Sequence, residues 1–362
     1  MDSIDLGSAE RIEVLRGPAS SLYGNASGGV IAVESELGQV PSYVEGSVAA
    51  GELGYSKYGL KTAGVAGDID FLFNLSHQEV DGYREHADAR GSLLNSRVGV
   101  PIGDEDRLTV AFNYSDQPEA QDPGGVDAAQ AAAMPRSARD RNILFDAGEA
   151  LDQQRIGFVF ERPRDAGTLM LRNYYTWRDF ANKLPFTDGG IVEFDRFVYG
   201  AGVRYRFEEL VPEAWELAIG VDLDRQDDDR RRFDNDQGDQ GALVFDQRER
   251  VSSDAVYAQA KYRLNERWSL SGGLRYDDVE FDISDRFLVD GDDSGVIAFD
   301  QLSPSLGINL ELGEQILFAS YSSSFETPTT TELANPDASG GFNPASGSPA
   351  GGQLRSRVQD GQ

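Results

Sequence analysis

The chain has 362 residues, and its 33 Lys and Arg against 62 Asp and Glu give a formal charge of −29, which argues against a nucleic-acid partner. It contains no Cys and two His, which excludes disulfide scaffolds and thiol catalysis and leaves little for a His-rich metal centre or a Ser-His-Asp enzyme. No apolar run reaches 18 residues, so a transmembrane helix is excluded, whereas strands that cross a bilayer need no such run.

The first 35 residues differ from the rest of the chain. Ala9 to Arg16 is a short amphipathic segment, Gly17-Pro18 predicts a turn, and Val30 to Val33 predicts a short buried strand. The N-terminus has no signal-peptide pattern, and residues 340–362 are rich in Gly, Ser, Pro and Gln. Taken alone, these ends fit either a cytoplasmic protein with a loose tail or an internal piece of a longer secreted protein.

From about Ser42 onward, apolar and polar residues alternate with period two. On one such segment Trp215, Leu217 and Ile219 alternate with Glu216, Ala218 and Gly220, which is typical of a strand with one apolar face. We predict thirteen strands, at 42–52, 55–66, 69–80, 92–102, 106–116, 151–161, 167–180, 195–208, 214–227, 247–264, 267–281, 298–311 and 315–325.

The connections between these segments alternate in length. Those after even segments are short, and those after most odd segments are long and polar, namely 81–91, 117–150, 181–194, 228–246 and 282–297. Long loops at one end and short turns at the other indicate an all-β, antiparallel up-and-down barrel of the transmembrane type. A soluble sandwich would mix hairpins with crossovers. Within 117–150, Ala128 to Met134 predicts a short helix.

The two faces of the strands fit a barrel in a membrane. The polar face carries charges that a packed core would not tolerate but that a wet or filled lumen accommodates. Aromatic residues near strand ends would lie at the membrane interfaces, although ordinary strand packing explains any one of them equally well. They are Tyr114, Trp177, Trp215, Trp268 and Tyr321.

One stretch near the N-terminus resembles a known family. Glu10-Arg-Ile-Glu-Val-Leu-Arg-Gly-Pro18, then Leu22-Tyr23-Gly24 and Gly28-Gly29-Val30-Ile31, are similar to the end of the plug domain of TonB-dependent outer-membrane receptors, although Ala32 stands where the family usually has Asn. Leu317 to Phe325, followed by Glu326-Thr-Pro328, is similar to a mid-barrel strand of that family. The second match weakens after Pro328.

The resemblance implies a 22-stranded barrel closed by an N-terminal plug, of which this chain supplies a part. It implies residues 1–38 as the end of the plug, 39–330 as about thirteen barrel strands, and 331–362 as an outer loop or disordered tail. The signal peptide, most of the plug and about nine strands would be missing. An incomplete strand set cannot close in lipid, so we expect a fragment of a transporter.

The resemblance also implies a function. Such a receptor binds a scarce nutrient, above all a ferric siderophore, at the outer face of the Gram-negative outer membrane and imports it with energy from the periplasmic TonB complex. It would be a monomer surrounded by outer-membrane lipid and lipopolysaccharide. No catalytic residue, metal or cofactor is expected. A passive porin-like or structural barrel is the alternative, and a soluble lectin-like sandwich fits less well because of the one-sided long loops.

Candidate site residues fall into two groups. In the plug motif, Arg16 is expected to pair with a carboxylate of the barrel wall, with Arg11 as second choice, unless Arg16 only caps a surface turn. In loop 228–246 an Arg cluster could meet an anionic ligand, although internal ion pairs in a solvated loop are the plainer interpretation. Asp222, Asp224 and Asp227 to Asp229 could bind Ca²⁺ but lack a known calcium-loop pattern. The motif residues are Arg11, Arg16, Gly17, Pro18, Tyr23, Gly24, Gly28 and Gly29, and the loop candidates are Arg230, Arg231 and Arg232.

Overall fold

The computed structural model describes residues 4–17, 19–38, 40–208 and 214–333. Within these ranges the chain is almost entirely β, with three short α-helices and one 3₁₀ helix at Leu6–Ser8. No helix of the described part is long and apolar enough to span a membrane. The strands are β1 (Ala9–Arg16), β2 (Gly29–Ser35), β3 (Tyr43–Ala50), β4 (Ser56–Ala66), β5 (Ile69–Val80), β6 (Ala89–Ile102), β7 (Asp106–Gln121), β8 (Gly148–Arg164), β9 (Gly167–Lys183), β10 (Ile191–Phe207), β11 (Trp215–Asp236), β12 (Asp239–Arg263), β13 (Trp268–Asp285), β14 (Gly295–Leu312) and β15 (Gln315–Ser322), and the helices are α1 (Ser20–Tyr23), α2 (Ala128–Ala133) and α3 (Asp140–Leu144).

Thirteen strands form one large antiparallel sheet in strict sequence order, from β3 to β15. Each strand pairs with its neighbours in the chain, as an up-and-down barrel wall requires. The thirteen predicted segments correspond one by one to these strands, so the predicted fold class is confirmed. β1 and β2 form a separate two-stranded hairpin, and within the described residues β3 and β15 are the edges of the large sheet.

The large sheet buries polar residues and exposes apolar ones. On β11, Ile219, Val221 and Leu223 are 45%, 43% and 43% exposed, whereas the intervening Asp222 is 6% exposed. An exposed apolar face of this extent is unstable in water and suits a lipid surface, because lipid tails replace the missing protein contacts. The polar face lines the inside of the curved sheet, where the N-terminal segment (residues 4–38, without Pro18) lies.

Aromatic side chains mark two levels on the outer face. Trp177 and Tyr199 stack on Phe197 between them, with ring centroids 5.4 and 5.3 Å apart, near the long-loop ends of β9 and β10. Trp215 and Tyr262 contact each other at 4.5 Å near the short-turn ends of β11 and β12. This arrangement is typical of the two interfacial girdles of a membrane barrel.

The prediction of a loop at 228–246 is wrong. Most of it is strand, because β11 continues to Asp236 and β12 begins at Asp239, joined by a tight turn at Gln237-Gly238. Several of the charges that suggested a solvated loop instead form ion pairs across strands, as Arg231 does at 3.1 Å from Asp195 on β10. The long connection 117–150 does contain the predicted short helix, α2.

The chain leaves the large sheet at the end of β15. The predicted strand 315–325 stops at Ser322, and residues 323–333, which we name the inner strap, turn to the inner face of β12 to β14. Phe325 and Leu333, both 2% exposed, pack there against Phe281 and Ile283. Burial of these two apolar side chains explains why the strand ends early. From residue 334 on, the predicted tail 331–362 lies outside the described residues.

Candidate functional site

The N-terminal segment contacts the large sheet and the inner strap in two regions. The first is the 3₁₀ helix, where the Asp5 carboxylate accepts the Gly7 backbone N–H at 2.9 Å and the Asn74 amide of β5 at 2.5 Å. Asn95 of β6 donates to Ser8, and Ser8 donates to Asp5 at 2.6 Å. Buried polar groups are therefore satisfied across the contact, which stabilises this end of the segment against β5 and β6.

An ion pair reinforces this first contact. Lys61 Nζ of β4 lies 3.2 Å from Glu36 Oε2, and Tyr43 of β3 also donates to Glu36. The side chains of Lys61 and Glu36 are only 18% and 12% exposed, so the pair is shielded from water. The segment thus supplies the carboxylate and the sheet supplies the cation.

The second contact joins α1 to the inner strap. The Ser20 hydroxyl accepts the Phe325 backbone N–H at 3.2 Å. Asn25 accepts the Thr327 N–H at 3.1 Å and donates to the Thr327 hydroxyl at 2.9 Å, and Ser27 donates to Glu326. The inner strap therefore holds α1 and the loop after it with hydrogen bonds that involve its backbone and side chains.

A buried ion network lies directly beneath α1. Arg275 of β13 contacts Asp277 through Nε at 2.8 Å and Asp222 of β11 through its NH1 nitrogen at 2.8 Å. Arg172 of β9 lies 2.8 Å from the other Asp222 oxygen, an ion-pair contact without hydrogen-bond geometry. Arg275, Asp222 and Asp277 have side chains at most 8% exposed. Such charges persist in a buried position because they are paired.

Gly24 lies against this network and must be glycine. Its φ of +72° is unfavourable for L side chains, and a Cβ there would stand 3.1 Å from the Asp277 carboxylate and 3.3 Å from the Arg275 guanidinium. The neighbouring Tyr23 is 52% exposed and, with Leu22, borders a cavity of about 300 Å³ that reaches Arg204 and Tyr257. The Leu-Tyr-Gly motif therefore covers the ion network from the inside of the sheet.

The other glycines of the motif differ in their requirements. Gly17 has φ +84°, and Gly29 has φ +127° with no room for a Cβ beside the Leu15 carbonyl oxygen. Gly28 has no atom within 4 Å of a Cβ position and no positive φ, so the described structure does not demand glycine there. Pro18 lies outside the described residues.

The two arginines of the motif do not reach a carboxylate of the large sheet. Arg11 pairs with Glu13 and Glu34 of its own hairpin at 3.2 and 3.0 Å. Arg16 is exposed and makes no ion pair with any described residue, so its expected pairing with the wall is not observed. The observed ion pair between segment and sheet, Lys61 with Glu36, has the opposite polarity to the predicted one.

The three arginines predicted in loop 228–246 lie on β11 instead, and their side chains point to different faces of the sheet. Arg231 faces outward to Asp195. Arg230 faces inward, 3.4 Å from Glu249 and 3.0 Å from the Thr331 hydroxyl. Arg232 is on the same face as Arg230 by strand alternation. The three residues therefore cannot act as a single cluster on one ligand.

Arg232 is the least compensated of the three. Its Nε donates to the Gly189 carbonyl at 3.1 Å, and none of the described carboxylates forms an ion pair with it. Burial, and then the nearby charge of Arg230, lower the pKa of its guanidinium below the usual value. In a chain of net charge −29, a partly buried cation without a carboxylate is a candidate contact for an anionic ligand.

The five acidic residues considered for Ca²⁺ are separately engaged. Asp222 belongs to the ion network, Asp224 accepts from Tyr174 at 2.6 Å, and Asp228 pairs with Arg196 at 2.6 Å. Asp227 and Asp229 pair with Arg248 and Arg286. Across the described residues no group of His, Cys, Asp and Glu is arranged to hold a metal ion.

The sequence reasoning missed the ion network and Glu249. The sequence did indicate that charged residues lie on the polar face of the strands, among them Arg172, Arg275 and Asp277, but not that they contact one another. Glu249 stood at the start of a predicted strand, but its neighbours from the inner strap are about 80 residues away in sequence. Nothing local indicated that contact.

Comparisons with known proteins agree with this architecture. The family model described as "TonB dependent receptor-like, beta-barrel" matches residues 94–356, and the one described as "TonB-dependent Receptor Plug Domain" matches residues 1–30. The chain is 24% identical to the rhizobactin receptor of Rhizobium meliloti, over 94% of this chain and 54% of the relative. It is 26% identical to the vitamin B12 transporter BtuB of Photobacterium profundum, over 92% and 49%.

Solved structures show the same fold. The unliganded ferric citrate transporter FecA superimposes with a TM-score of 0.76 at 19% identity, covering 90% of this chain and 51% of that chain. The copper transporter OprC gives a TM-score of 0.73 at 18% identity, covering 93% and 55%. The chain thus spans about half the length of the relatives it matches, and these are receptors and transporters, not enzymes. It belongs to the family of TonB-dependent receptors of the outer membrane.

Proposed function

We propose that this chain is part of an active transport receptor that binds a ferric siderophore at its outer face and delivers it to the periplasm, with energy coupled through TonB. The receptor would work as a monomer among outer-membrane lipid and lipopolysaccharide. The named relatives include a rhizobactin receptor, and a structural neighbour is a ferric citrate transporter, which supports an iron chelate as the ligand class. The domain limits 1–38, 39–330 and 331–362 are part of the same proposal.

The observation that carries the proposal is Arg232. It is partly buried on the inner face toward the Asp236 end of β11, it lies near Arg230, and no described carboxylate forms an ion pair with it. An anionic chelate would supply the missing negative charge and accept hydrogen bonds from the guanidinium. Because Arg231 faces the outside, it is the natural control for the same residue type on the same strand.

Binding and uptake of radiolabelled ferric citrate test this function in cells that produce the receptor. Replacement of Arg232 by Gln should weaken binding roughly tenfold, since a charge-assisted contact is lost. Arg231→Gln should change binding less than about twofold, because exposed pairs contribute little. Equal effects of the two variants would refute the assignment of Arg232.

A passive, porin-like barrel is the competing function. Active import should disappear in cells that lack TonB, whereas a passive pore would continue to admit the chelate in proportion to its external concentration. The N-terminal segment inside the sheet favours the first outcome, because it occupies the space that an open pore needs. Ferrichrome and cyanocobalamin, assayed in parallel, separate an iron-chelate receptor from a cobalamin receptor.

A further inference from the structure

The inner strap links two regions that the large sheet otherwise keeps apart. Its first half holds α1 and the loop that follows it, through the hydrogen bonds of Phe325 to Ser20 and of Thr327 to Asn25. It then continues along the inner face toward the long-loop end of the sheet, where Leu333 is buried beside Ile283. Both of its apolar anchors are 2% exposed, so the strap is fixed on the sheet and is not a loose loop.

The second half of the strap contacts the inward-facing arginine. Thr330 Oγ1 donates to Glu249 Oε2 at 2.6 Å, and Arg230 donates to Thr331 Oγ1 at 3.0 Å. Arg230 also lies 3.4 Å from Glu249 and 5.9 Å from the centre of the Phe245 ring. The guanidinium therefore contacts both the strap and the carboxylate that the strap hydroxyl holds.

Glu249 links Arg230 of β11 to Thr330 of the inner strap. Its side chain is 1% exposed and is held by Thr330, Arg230 and the Gln247 amide. A buried carboxylate is stable only while its charge and lone pairs are partnered. A displacement of Arg230 would remove a cation from Glu249, and a shift of Glu249 would in turn strain its hydrogen bond with Thr330.

We propose that the inner strap couples occupancy of the inner-face arginines to the hold on the N-terminal segment, with Glu249 as the positioning residue. An anion that takes the N–H groups of Arg230 competes with Glu249 and Thr331 for them. The carboxylate loses its cation and the strap shifts. The hydrogen bonds from Phe325 to α1 and from Thr327 to the loop after α1 then weaken. The identity of the anion rests on the proposed function, but the coupling between strap and segment does not.

A cysteine at Ser21 reports this coupling directly. Ser21 is 3% exposed and lies against Gly273 of β13, so a thiol there reacts only when α1 leaves the sheet. The sequence contains no Cys, and Ser→Cys preserves the size of the side chain. In outer-membrane preparations of the receptor carrying Ser21→Cys, the measured quantity is the rate of labelling by a water-soluble maleimide.

Two substitutions cut the link without touching α1. Thr330→Val removes the hydroxyl that donates to Glu249 and keeps the shape, and Glu249→Gln removes the charge. Each should raise the labelling rate roughly tenfold, because hydrogen bonds to buried charged groups are strong. Asn25→Ala should act similarly, and its combination with Thr330→Val should fall well short of the product of the two effects, since both lie on one path.

The matched control stays within the strap. Glu332 accepts hydrogen bonds from Thr329 and is exposed, so Glu332→Gln should leave the labelling rate unchanged. Compact migration on unheated gels confirms that each variant has folded. Labelling of Thr330→Val at the parental rate, with Asn25→Ala labelled faster, would overturn the proposal.

Ferric citrate then separates the two proposals. It should speed labelling in the parent and have little effect in Thr330→Val. If ferric citrate does not bind while Thr330→Val is still labelled faster, the ligand assignment fails and the coupling stands. If ferric citrate binds both proteins and speeds labelling equally, the strap is not the link.

Discussion

The carboxylate of Asp222 is shared between two arginines on different strands. It lies 2.8 Å from Arg172 of β9 and 2.8 Å from Arg275 of β13, so three non-adjacent strands are connected through one side chain. A buried carboxylate in this position cannot be replaced by a neutral group without leaving a cation uncompensated.

Asp222→Asn should therefore destabilise the receptor by about 3 kcal/mol, the size expected when one partner of a buried pair is removed. Asp195→Asn, which breaks the exposed pair with Arg231, should cost no more than about 1 kcal/mol. Urea titrations in detergent micelles, followed by tryptophan fluorescence, measure both. Similar midpoints for the two variants would contradict the role of the network.

Glycine is required at position 24 and optional at position 28. Gly24→Ala should weaken docking of the N-terminal segment by about 1–3 kcal/mol, because the residue combines a positive φ with a close approach to Asp277. Gly28→Ala should change it by less than about 0.5 kcal/mol. Limited proteolysis of the segment provides the measurement, and equal protection of the two variants would contradict the steric argument.

The sequence motif identified the correct glycine turn but not what it contacts. Gly24 stood out because glycine tolerates positive φ, which is a local property. Its neighbours Arg275 and Asp277 are some 250 residues away, and their approach depends on the curvature of the whole sheet. Arg16 illustrates the converse, because the motif suggested a buried pair while the side chain is exposed and unpaired among the described residues.

At the scale of the strands, a charge placed on the apolar outer face should lower the stability of the inserted sheet. Val221 lies midway between the Trp215 and Tyr199 levels, opposite Val256, and is 43% exposed. Val221→Lys should lower the stability of the membrane-inserted sheet by about 2–4 kcal/mol, as expected near the bilayer midplane.

The matched control for this substitution is Leu243. It is 39% exposed, but it lies on β12 beyond the outer aromatic level, so Leu243→Lys should cost no more than about 1 kcal/mol. The yield of folded protein after dilution from urea into lipid vesicles compares the two. If both lysines are tolerated equally, the assigned membrane level is wrong.

Strand identity was predictable from alternation, but strand ends were not. Between the aromatic levels, one face must be apolar, and this constraint gives the period-two pattern that located all the strands of the large sheet. Above the outer level both faces can be charged, so the pattern disappears although the strand continues, as in β11 from Asp227 to Asp236. The inner strap was missed because Phe325 alternates correctly for a strand yet packs on Phe281 inside.

For the molecule as a whole, the charged side chains and the apolar side chains lie on opposite faces of the sheet, and the apolar face suits lipid. Carboxylates such as Asp222 and Asp277 are buried in ion pairs on the inner face, whereas apolar side chains such as Ile219, Val221 and Leu223 are exposed on the outer face. We expect the chain to aggregate in detergent-free buffer and to show a β-sheet circular dichroism spectrum in micelles. A soluble monomer that unfolds cooperatively without detergent would contradict the membrane assignment.

The inverted burial of the large sheet has a consequence for biogenesis. A water-soluble protein can hide its apolar residues as soon as it collapses, but here collapse to the final shape would turn them outward. The native state is therefore stable only in contact with lipid, so we expect insertion and folding to occur together. We therefore expect that, before insertion, the exposed Trp, Leu and Val side chains of the strands need a chaperone to cover them.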